Sequence, residues 1–331
     1  MIVIDKYIPF LAEAVQQYWP DVCVRALEPS AIDAEAVRDA DVLVVRTRTQ
    51  VNEALLHGSK VRLVCTATIG FDHIDTAYCD AQGIAWISCP GCNAQAVCDY
   101  IEEVLTTHYS LLPLGQGSWV GLCIGIVGVG HVGSLVAQMA ERLGMTVLLN
   151  DPPKGIGVSL ETIARECDVI TFHTPLTHTG DYPTYHLCDA SFLAQCKPNA
   201  LIINAARGGV VDEQALLASR REYVLDTWEN EPHIDLDVLR HARLASMHIA
   251  GYSVLGKRNA TQMCLDAITR TLGYAPIVLP TSFSAPGDSA VGWLSRLTEQ
   301  MRTQLDHQQV NVDGKSIAVI FESLRKNYLL R

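Results

Sequence analysis

The chain has 331 residues, of which 49% are hydrophobic and 18% are charged, and its formal net charge is −11. This length favours about two domains, and the composition is that of a folded protein rather than a disordered one. The acidic balance argues against nucleic acid or an anionic membrane as the main partner. No apolar run reaches the ~18 residues of a membrane span. Eleven cysteines without a secretory signal favour a reducing compartment, so we expect a cytoplasmic protein.

The first 92 residues alternate short apolar runs with amphipathic stretches, which is typical of a parallel sheet covered on both faces. The pattern predicts strands at 2–5, 22–26, 42–46, 63–67 and 84–87, and helices at 9–19, 34–38, 52–56 and 74–81. Such sheets bind ligands at the carboxyl ends of their strands. Two of these ends carry polar residues, with Arg46 and Thr47 after one strand and residues 66–70 (TATIG) after another.

Cys89 and Cys92 form a Cys-x-x-Cys motif just before a predicted helix at 93–111. Three interpretations are open: thiols packed in a turn, a redox-sensitive pair whose thiol pKa is lowered by the helix start, and a metal site. A structural zinc site would need a second such pair, and the chain has none. We therefore favour packed thiols and predict no metal.

A glycine-rich motif follows the predicted helix. Residues 122–127 predict a buried strand, and Gly128, Gly130 and Gly133 then form G-x-G-x-x-G before a helix at 134–143. The next strand, 145–150, ends in Asp151, about 20 residues on, where a carboxylate would hold the adenosine ribose of a dinucleotide. The glycines let the backbone approach the pyrophosphate, which the helix N-terminus also attracts. This context predicts NAD.

The remaining pattern completes a doubly wound α/β architecture of two Rossmann-like domains. Strands are predicted at 169–172, 201–204 and 223–226, with helices at 160–166, 190–195 and 213–220. Residues 93–253 are thus expected to form the NAD-binding domain. A helix at 255–272 returns to the first domain, which spans 1–92 and 254–280 and binds substrate. A linker at 281–287 begins a short segment, 281–331, with helices predicted at 291–304 and 317–328.

Three further stretches carry a family resemblance: residues 204–212 (NAARGGVVD), 226–232 (DTWENEP) and 248–252 (HIAGY). With the glycine motif, and in the same order, they resemble the D-2-hydroxyacid dehydrogenases over roughly residues 1–275. Residues 66–73 (TATIGFDH), 90–94 (PGCNA), 151–153 (DPP) and 324–328 (LRKNY) are more similar to the branch of that family that oxidises 4-phospho-D-erythronate in vitamin B6 biosynthesis. The resemblance implies a formate/glycerate dehydrogenase-like fold and a homodimer. Another D-2-hydroxyacid dehydrogenase, such as one for 3-phosphoglycerate, and a non-catalytic NAD-sensing regulator remain alternatives.

The resemblance also assigns catalytic roles. Oxidation of a 2-hydroxy acid removes a hydride from C2 and a proton from its hydroxyl group, and histidine is suited to accept that proton near neutral pH. His248 is implied as this base and Glu231 as the carboxylate that orients it. Arg207 is implied as the bidentate contact to the substrate carboxylate and C2 oxygen.

The binding residues implied by the resemblance fall into two groups. The predicted cofactor contacts are Gly128, Gly130, His131, Val132, Gly133, Asp151, Thr174, Ala205, Ala206, Asp226 and Gly251. The predicted substrate contacts are Arg46, Thr47, Thr68, Ile69, Gly70, Tyr252 and Arg325. Within the second group, the backbone of residues 69–70 is expected to hold the substrate carboxylate, while Arg46 and Arg325 are expected to hold a phosphate.

Overall fold

The computed structural model describes residues 1–110, 119–280, 292–306 and 317–328. The chain divides into two compact units, Met1–Asn93 with Tyr252–Ala285, and Ala94–Gly251 with Pro286–Arg331. The predicted linker at 281–287 lies outside the described residues. Among the described helices, none is both long and apolar enough to cross a membrane.

The elements alternate along the chain as a doubly wound fold requires. The strands are β1 Ile2–Asp5, β2 Val24–Leu27, β3 Val42–Val45, β4 Leu63–Thr66, β5 Ala85–Ile87, β6 Cys123–Val127, β7 Thr146–Asp151, β8 Ile156–Gly157, β9 Val169–Phe172, β10 Leu201–Asn204, β11 Tyr223–Leu225 and β12 Leu244–Ala245. The helices are α1 Leu11–Tyr18, α2 Ala34–Val37, α3 Glu53–Leu56, α4 Thr76–Ala81, α5 Ala94–Ser110, α6 His131–Arg142, α7 Leu160–Glu166, α8 Ala190–Gln195, α9 Glu213–Ser219, α10 Leu236–His241, α11 Val254–Leu272, α12 Trp293–Asp306 and α13 Ile317–Asn327.

The first unit is built on a parallel sheet of order β2-β1-β3-β4-β5. Strand β3 shows why the sheet is covered on both faces. Val42 and Val44 pack with α1 and α11, whereas Leu43 and Val45 pack with α2, α3 and α4. All four side chains are fully buried, so the strand is a continuous apolar run rather than an alternating one.

The second unit contains a seven-stranded sheet of order β12-β11-β10-β9-β6-β7-β8, in which only β8 runs antiparallel to its neighbour. The chain proceeds from β6 to β7 on one side and then crosses to β9 on the other, so the strand order reverses at β6. Doubly wound sheets bind ligands at such a switch point. The C-terminal helix α12 packs on the edge strand β12, where the Thr298 hydroxyl accepts a hydrogen bond from Ala245 N at 2.8 Å.

Most predicted elements are present, with ends that differ by one or two residues. Helix α6 begins at His131 rather than at residue 134, because Gly133 lies in its first turn, close against β6. A Cβ added to Gly133 would lie 2.0 Å from Gly128 O. The short elements β8, α10 and β12 were not predicted, because two to six residues carry too little periodicity to identify them.

Candidate active site

The three predicted catalytic residues follow three neighbouring parallel strands of the second unit. Arg207 comes after β10, Glu231 after β11 and His248 after β12. Strand β11 pairs with both of the others. The carboxyl ends of parallel strands meet at one edge of a sheet, so the topology delivers all three residues to the same edge.

His248 and Glu231 form a direct hydrogen bond, with 2.8 Å between His248 Nδ1 and Glu231 Oε2. The second carboxylate oxygen, Oε1, accepts a hydrogen bond from Trp228 N at 2.8 Å, which fixes the orientation of the carboxylate. The bond at Nδ1 leaves Nε2 as the ring nitrogen that can receive a proton from a substrate. The side chain of His248 is about one third exposed (33%), so it is accessible to a ligand.

Asp226 holds the backbone that carries His248. Its buried carboxylate accepts hydrogen bonds from Ile249 N at 2.7 Å, Ala250 N at 2.9 Å and the Ser246 hydroxyl at 2.6 Å. These contacts stabilise His248 in a left-handed conformation (φ 58°), which is uncommon for a residue with a side chain. The sequence resemblance assigned Asp226 to the cofactor, and the structure adds this positioning role.

The segment that carries Glu231 is held from two sides. Glu213 Oε1 accepts a hydrogen bond from Glu229 N at 2.7 Å, and His186 Nε2 lies 2.6 Å from Glu229 Oε1. Burial raises the pKa of Glu213 to about 8, with further contributions from the charges of Glu229, Asp235 and Glu231. Glu213 therefore carries a proton near neutral pH. Sequence reasoning missed this residue, because nothing in the pattern of helix 213–220 indicates that its first residue is buried.

His186 also approaches a second carboxylate, with Nδ1 3.6 Å from Asp212 Oδ2. Among the described residues, His186, Asp212 and Glu229 are the one group whose side chains could together hold a metal ion. The short hydrogen bond from His186 to Glu229 accounts for the arrangement without one. We interpret the group as a bridge between the segments after β11 and before α9.

Arg207 is exposed, and its guanidinium donates a hydrogen bond to Ala206 O at 2.7 Å. The next residue must be glycine, because a Cβ on Gly208 would lie 1.9 Å from Trp228 O. This close approach packs the Arg207 segment directly against the segment that leads to Glu231. The predicted cofactor contacts Ala205 and Ala206 lie in the same turn, directly after β10.

The glycine motif lies between β6 and α6. Gly128 has a φ of +91°, and a Cβ there would lie 2.8 Å from the His173 backbone, so no larger residue fits. A Cβ on Gly130, by contrast, would meet no atom within 4 Å, so this side of the turn is open. Gly130 is the N-cap of α6, and His131 and Val132 are its first residues. Their backbone N–H groups are free of intrahelical partners, as an anion site requires.

Asp151 and Thr174 flank this motif. Asp151 Oδ2 accepts a hydrogen bond from Val129 N at 2.9 Å and lies 3.3 Å from Lys154 Nζ. Thr174 Oγ1 is buried and lacks a hydrogen-bond partner among the described residues, which is the state expected of a group that bonds a ligand. The open face at Gly130, the carboxylate at the end of β7 and this hydroxyl fit NAD.

His173, next to Thr174, was considered in the sequence as a shaping residue rather than a catalytic one. Burial lowers its pKa to about 3, so the ring is neutral, and Nε2 lies 3.1 Å from Thr171 Oγ1. Its backbone N–H donates to Val127 O at 2.7 Å, which ties the Thr174 segment to the end of β6.

In the first unit, the predicted substrate residues follow β3 and β4. The hydroxyl of Thr68 donates to Gly70 O at 2.9 Å and lies 2.6 Å from Thr66 Oγ1. Its proton is therefore used within the loop, and the prediction that Thr68 contacts the substrate stays a prediction. The hydrogen bond fixes the backbone of Ile69 and Gly70, whose N–H groups remain the candidates for a substrate carboxylate.

Arg46 lies at the end of β3 beside Asp5, a fully buried acid at the end of β1 that sequence reasoning missed. Arg46 Nε donates to Asp5 Oδ2 at 3.0 Å, and the guanidinium lies 5.3 Å from the centre of the Tyr7 ring. Thr47 is exposed directly after Arg46. This ion pair offsets part of the positive charge of Arg46, the residue that the sequence analysis expects to hold a phosphate.

Arg325 lies on α13 in the second unit, with its guanidinium 3.7 Å from Glu322 Oε1 on the same helix. Gly251 and Tyr252 follow the His248 segment, and Tyr252 is half-buried. Two groups of predicted residues are brought together by the structure. His248 and Glu231 are in direct contact, and Asp151 and Thr174 lie beside the turn of the glycine motif.

Cys89 and Cys92 of the Cys-x-x-Cys motif form no disulfide and lie in packed surroundings. Cys89 is fully buried, and its thiol donates to Thr66 O at 3.3 Å. Its contact with the Cys264 thiol and then its burial raise the pKa of Cys89 far above the usual range, while burial raises that of Cys92 to about 12. The possibility that the start of the following helix lowers a thiol pKa is therefore wrong.

Comparison with known proteins agrees with this geometry. Residues 108–250 match the family described as D-isomer specific 2-hydroxyacid dehydrogenase, NAD binding domain. The chain is 45% identical to an erythronate-4-phosphate dehydrogenase from Bacteroides fragilis, over 81% of this chain and 79% of that protein. It is 41% identical to the enzyme of the same name from Bacteroides thetaiotaomicron, over 100% of this chain and 96% of the relative.

Solved structures show the same fold. A D-lactate dehydrogenase from Aquifex aeolicus, complexed with NAD and lactic acid, superposes with a TM-score of 0.61 at 23% identity, covering 82% of this chain and 96% of that one. The predicted α/β fold of Rossmann-like parallel sheets is thereby confirmed. The match to the NAD-binding domain of the family confirms the predicted cofactor, NAD. The chain belongs to the D-isomer-specific 2-hydroxyacid dehydrogenase family and is an NAD-dependent dehydrogenase.

Proposed function

We propose that this chain oxidises 4-phospho-D-erythronate to (R)-3-hydroxy-2-oxo-4-phosphobutanoate, a step of pyridoxine 5'-phosphate (vitamin B6) biosynthesis. The observation that carries the substrate is the likeness to proteins named erythronate-4-phosphate dehydrogenase at 39–45% identity. The hydrogen-bonded pair of His248 and Glu231 supports the reaction type, because proton removal from a hydroxyl group requires an oriented base.

We assign the roles of the residues from the contacts that support them. Bound NAD supplies the hydride acceptor. His248 Nε2 takes the hydroxyl proton of the substrate, while Glu231 on Nδ1 fixes the tautomer and offsets the charge that the ring gains. Arg207, exposed at the end of β10, binds the substrate carboxylate and C2 oxygen through two N–H groups, which also favours the developing ketone.

The binding residues of the cofactor are proposed from the nucleotide motif. The N–H groups at the start of α6, beside Gly130, bind the pyrophosphate, and Asp151 accepts hydrogen bonds from the adenosine ribose. The buried hydroxyl of Thr174 bonds the nicotinamide half. In the first unit, the backbone of residues 69–70 binds the substrate carboxylate.

The test is a panel of D-2-hydroxy acids with NAD and purified protein, followed by NADH absorbance. We expect 4-phospho-D-erythronate to give a kcat/KM at least about tenfold above D-3-phosphoglycerate and D-lactate, since each ~1.4 kcal/mol of selective binding is tenfold. Faster turnover of D-3-phosphoglycerate would replace the proposed substrate with that sibling activity. NAD binding without turnover of any member would instead favour the regulator. The chain is also proposed to be a homodimer, which light scattering after size-exclusion chromatography measures.

A further inference from the structure

Lys257 lies in the first unit, in the first turn of α11, a few residues after Tyr252. Its ammonium group lies 5.9 Å from the centre of the Tyr252 ring, within cation–π range. The side chain is exposed to solvent, yet desolvation by the surrounding protein lowers its pKa, and the positive charge of Arg46 lowers it further. Lys257 is therefore a partly desolvated cation that also senses the positive charge of Arg46.

The position of α11 explains this proximity. One helical turn after Lys257, the Thr261 hydroxyl donates to Pro9 O at 2.9 Å, and residues four apart lie on the same helix face. Pro9 belongs to the segment after β1 that also carries Tyr7, whose ring lies under the Arg46 guanidinium. Arg46 and Lys257 thus lie on one side of the sheet, where β1 and β3 end and α11 begins.

The charges at this place are not balanced. Asp5 pairs with Arg46 at 3.0 Å, but no carboxylate of a described residue forms an ion pair with Lys257. Asp5, Arg46 and Lys257 together therefore carry one net positive charge, in a chain whose net charge is −11. Because the charge of Arg46 repels that of Lys257 and Asp5 balances only one of them, a bound anion would lower the electrostatic free energy at this place.

We propose that Lys257, together with Arg46, forms the subsite that binds the terminal phosphate of the substrate. The inference rests on the proposed function for the identity of the substrate, but the anion site itself follows from the two cations. Lysine binds phosphate as a point charge, and Arg46, whose Nε and Nη2 face Asp5, has further N–H groups on Nη1. The pair therefore suits a dianion at the end of a short, flexible acid. The backbone N–H groups of residues 69–70 are left for the carboxylate at the other end.

The kinetic test compares wild type with Lys257→Met, the charge-keeping Lys257→Arg, and Lys60→Met as a matched control. Lys60 is an exposed lysine of the same unit that pairs with Asp39 and precedes β4, at the opposite edge of the sheet. We expect Lys257→Met to raise the KM for 4-phospho-D-erythronate about tenfold or more, the range of a hydrogen bond to a charged group. The kcat/KM for unphosphorylated D-erythronate and the KM for NAD should stay unchanged, and Lys257→Arg should recover most of the affinity.

A second measurement keeps the anion site testable whatever the substrate is. With NAD saturating, inorganic phosphate should raise the midpoint of thermal unfolding of the wild type and of Lys60→Met, but not of Lys257→Met. If wild type does not oxidise 4-phospho-D-erythronate while this difference persists, the proposed function fails and the anion site stands. Equal stabilisation of Lys257→Met and wild type by phosphate overturns the subsite. If Lys257→Met loses kcat/KM equally with phosphorylated and unphosphorylated acids, the subsite is also overturned.

Discussion

Replacing Glu213 with glutamine should change how the stability of the protein depends on pH. Glu213 is the first residue of α9, it is 3% exposed, and its Oε1 accepts a hydrogen bond from Glu229 N. Glutamine keeps that acceptor oxygen and nearly the same volume but cannot ionise. The substitution therefore removes one titration and leaves the packing around the Glu231 segment in place.

The magnitude follows from the pKa. Burial raises the pKa of Glu213 from 4.5 to about 8, so between these pH values the folded protein holds a proton that the unfolded chain has lost. The free energy of unfolding of the wild type must then fall as pH rises through this window. At ~1.36 kcal/mol per pKa unit, the loss amounts to roughly 3–5 kcal/mol. Glu213→Gln lacks this loss, so it should match wild type near the lower pH and exceed it near the upper.

Urea unfolding followed by tryptophan fluorescence, repeated across this pH range, measures the difference between the two proteins. Glu161→Gln is the control, because Glu161 is an exposed carboxylate paired with Arg165 on α7. Exposed pairs contribute little, so its curve should run parallel to wild type, within about 1 kcal/mol. Parallel curves for Glu213→Gln and wild type would mean that Glu213 is ionised in the folded protein, and the reasoning would be wrong.

Other predictions concern the site itself. His248→Ala should lower kcat at least ~100-fold without changing NAD affinity, since a general base contributes that much; near wild-type NADH production would exclude the mechanism. Asp151→Ser should lower the preference for NAD over NADP at least about tenfold, because Lys154 loses its carboxylate partner and its charge can pair with a 2′-phosphate; an unchanged ratio of kcat/KM contradicts this. Cys89→Ala should lower the urea midpoint but keep kcat, because a buried thiol of raised pKa is inert; lost turnover in folded protein refutes it.

The elements that were easiest to predict are those whose signal lies within a few neighbouring residues. The strands β1, β9 and β10 have the predicted bounds, because each is a short run of apolar residues between polar ones. The glycine motif was equally easy to predict, since its spacing is imposed by contacts within about ten residues. Gly133 against Gly128 O is one such contact.

The supporting residues could not be predicted, because their roles depend on contacts between distant parts of the chain. Glu213 is separated from Glu229 by sixteen residues, and Asp5 is separated from Arg46 by forty-one. In sequence, Glu213 is one more acid at the start of a helix, where acids are common. Only the packing of α9 under the segment after β11 shows that it is buried. The role of Lys257 likewise depends on where α11 lies against the end of β1.

The catalytic pair illustrates why both kinds of information are needed. A motif names His248 and Glu231, but a histidine in a left-handed conformation stays in place only if its neighbours hold it. Asp226 does this with three hydrogen bonds, and it is itself fixed because Ser246, one of its donors, also lies 2.8 Å from the Tyr100 hydroxyl on α5. The polar groups beneath His248 are thus satisfied by one another, which leaves the imidazole as the accessible member of the network. A base oriented in advance has less reorganisation to undergo when the substrate binds, and this arrangement is what the motif alone cannot supply.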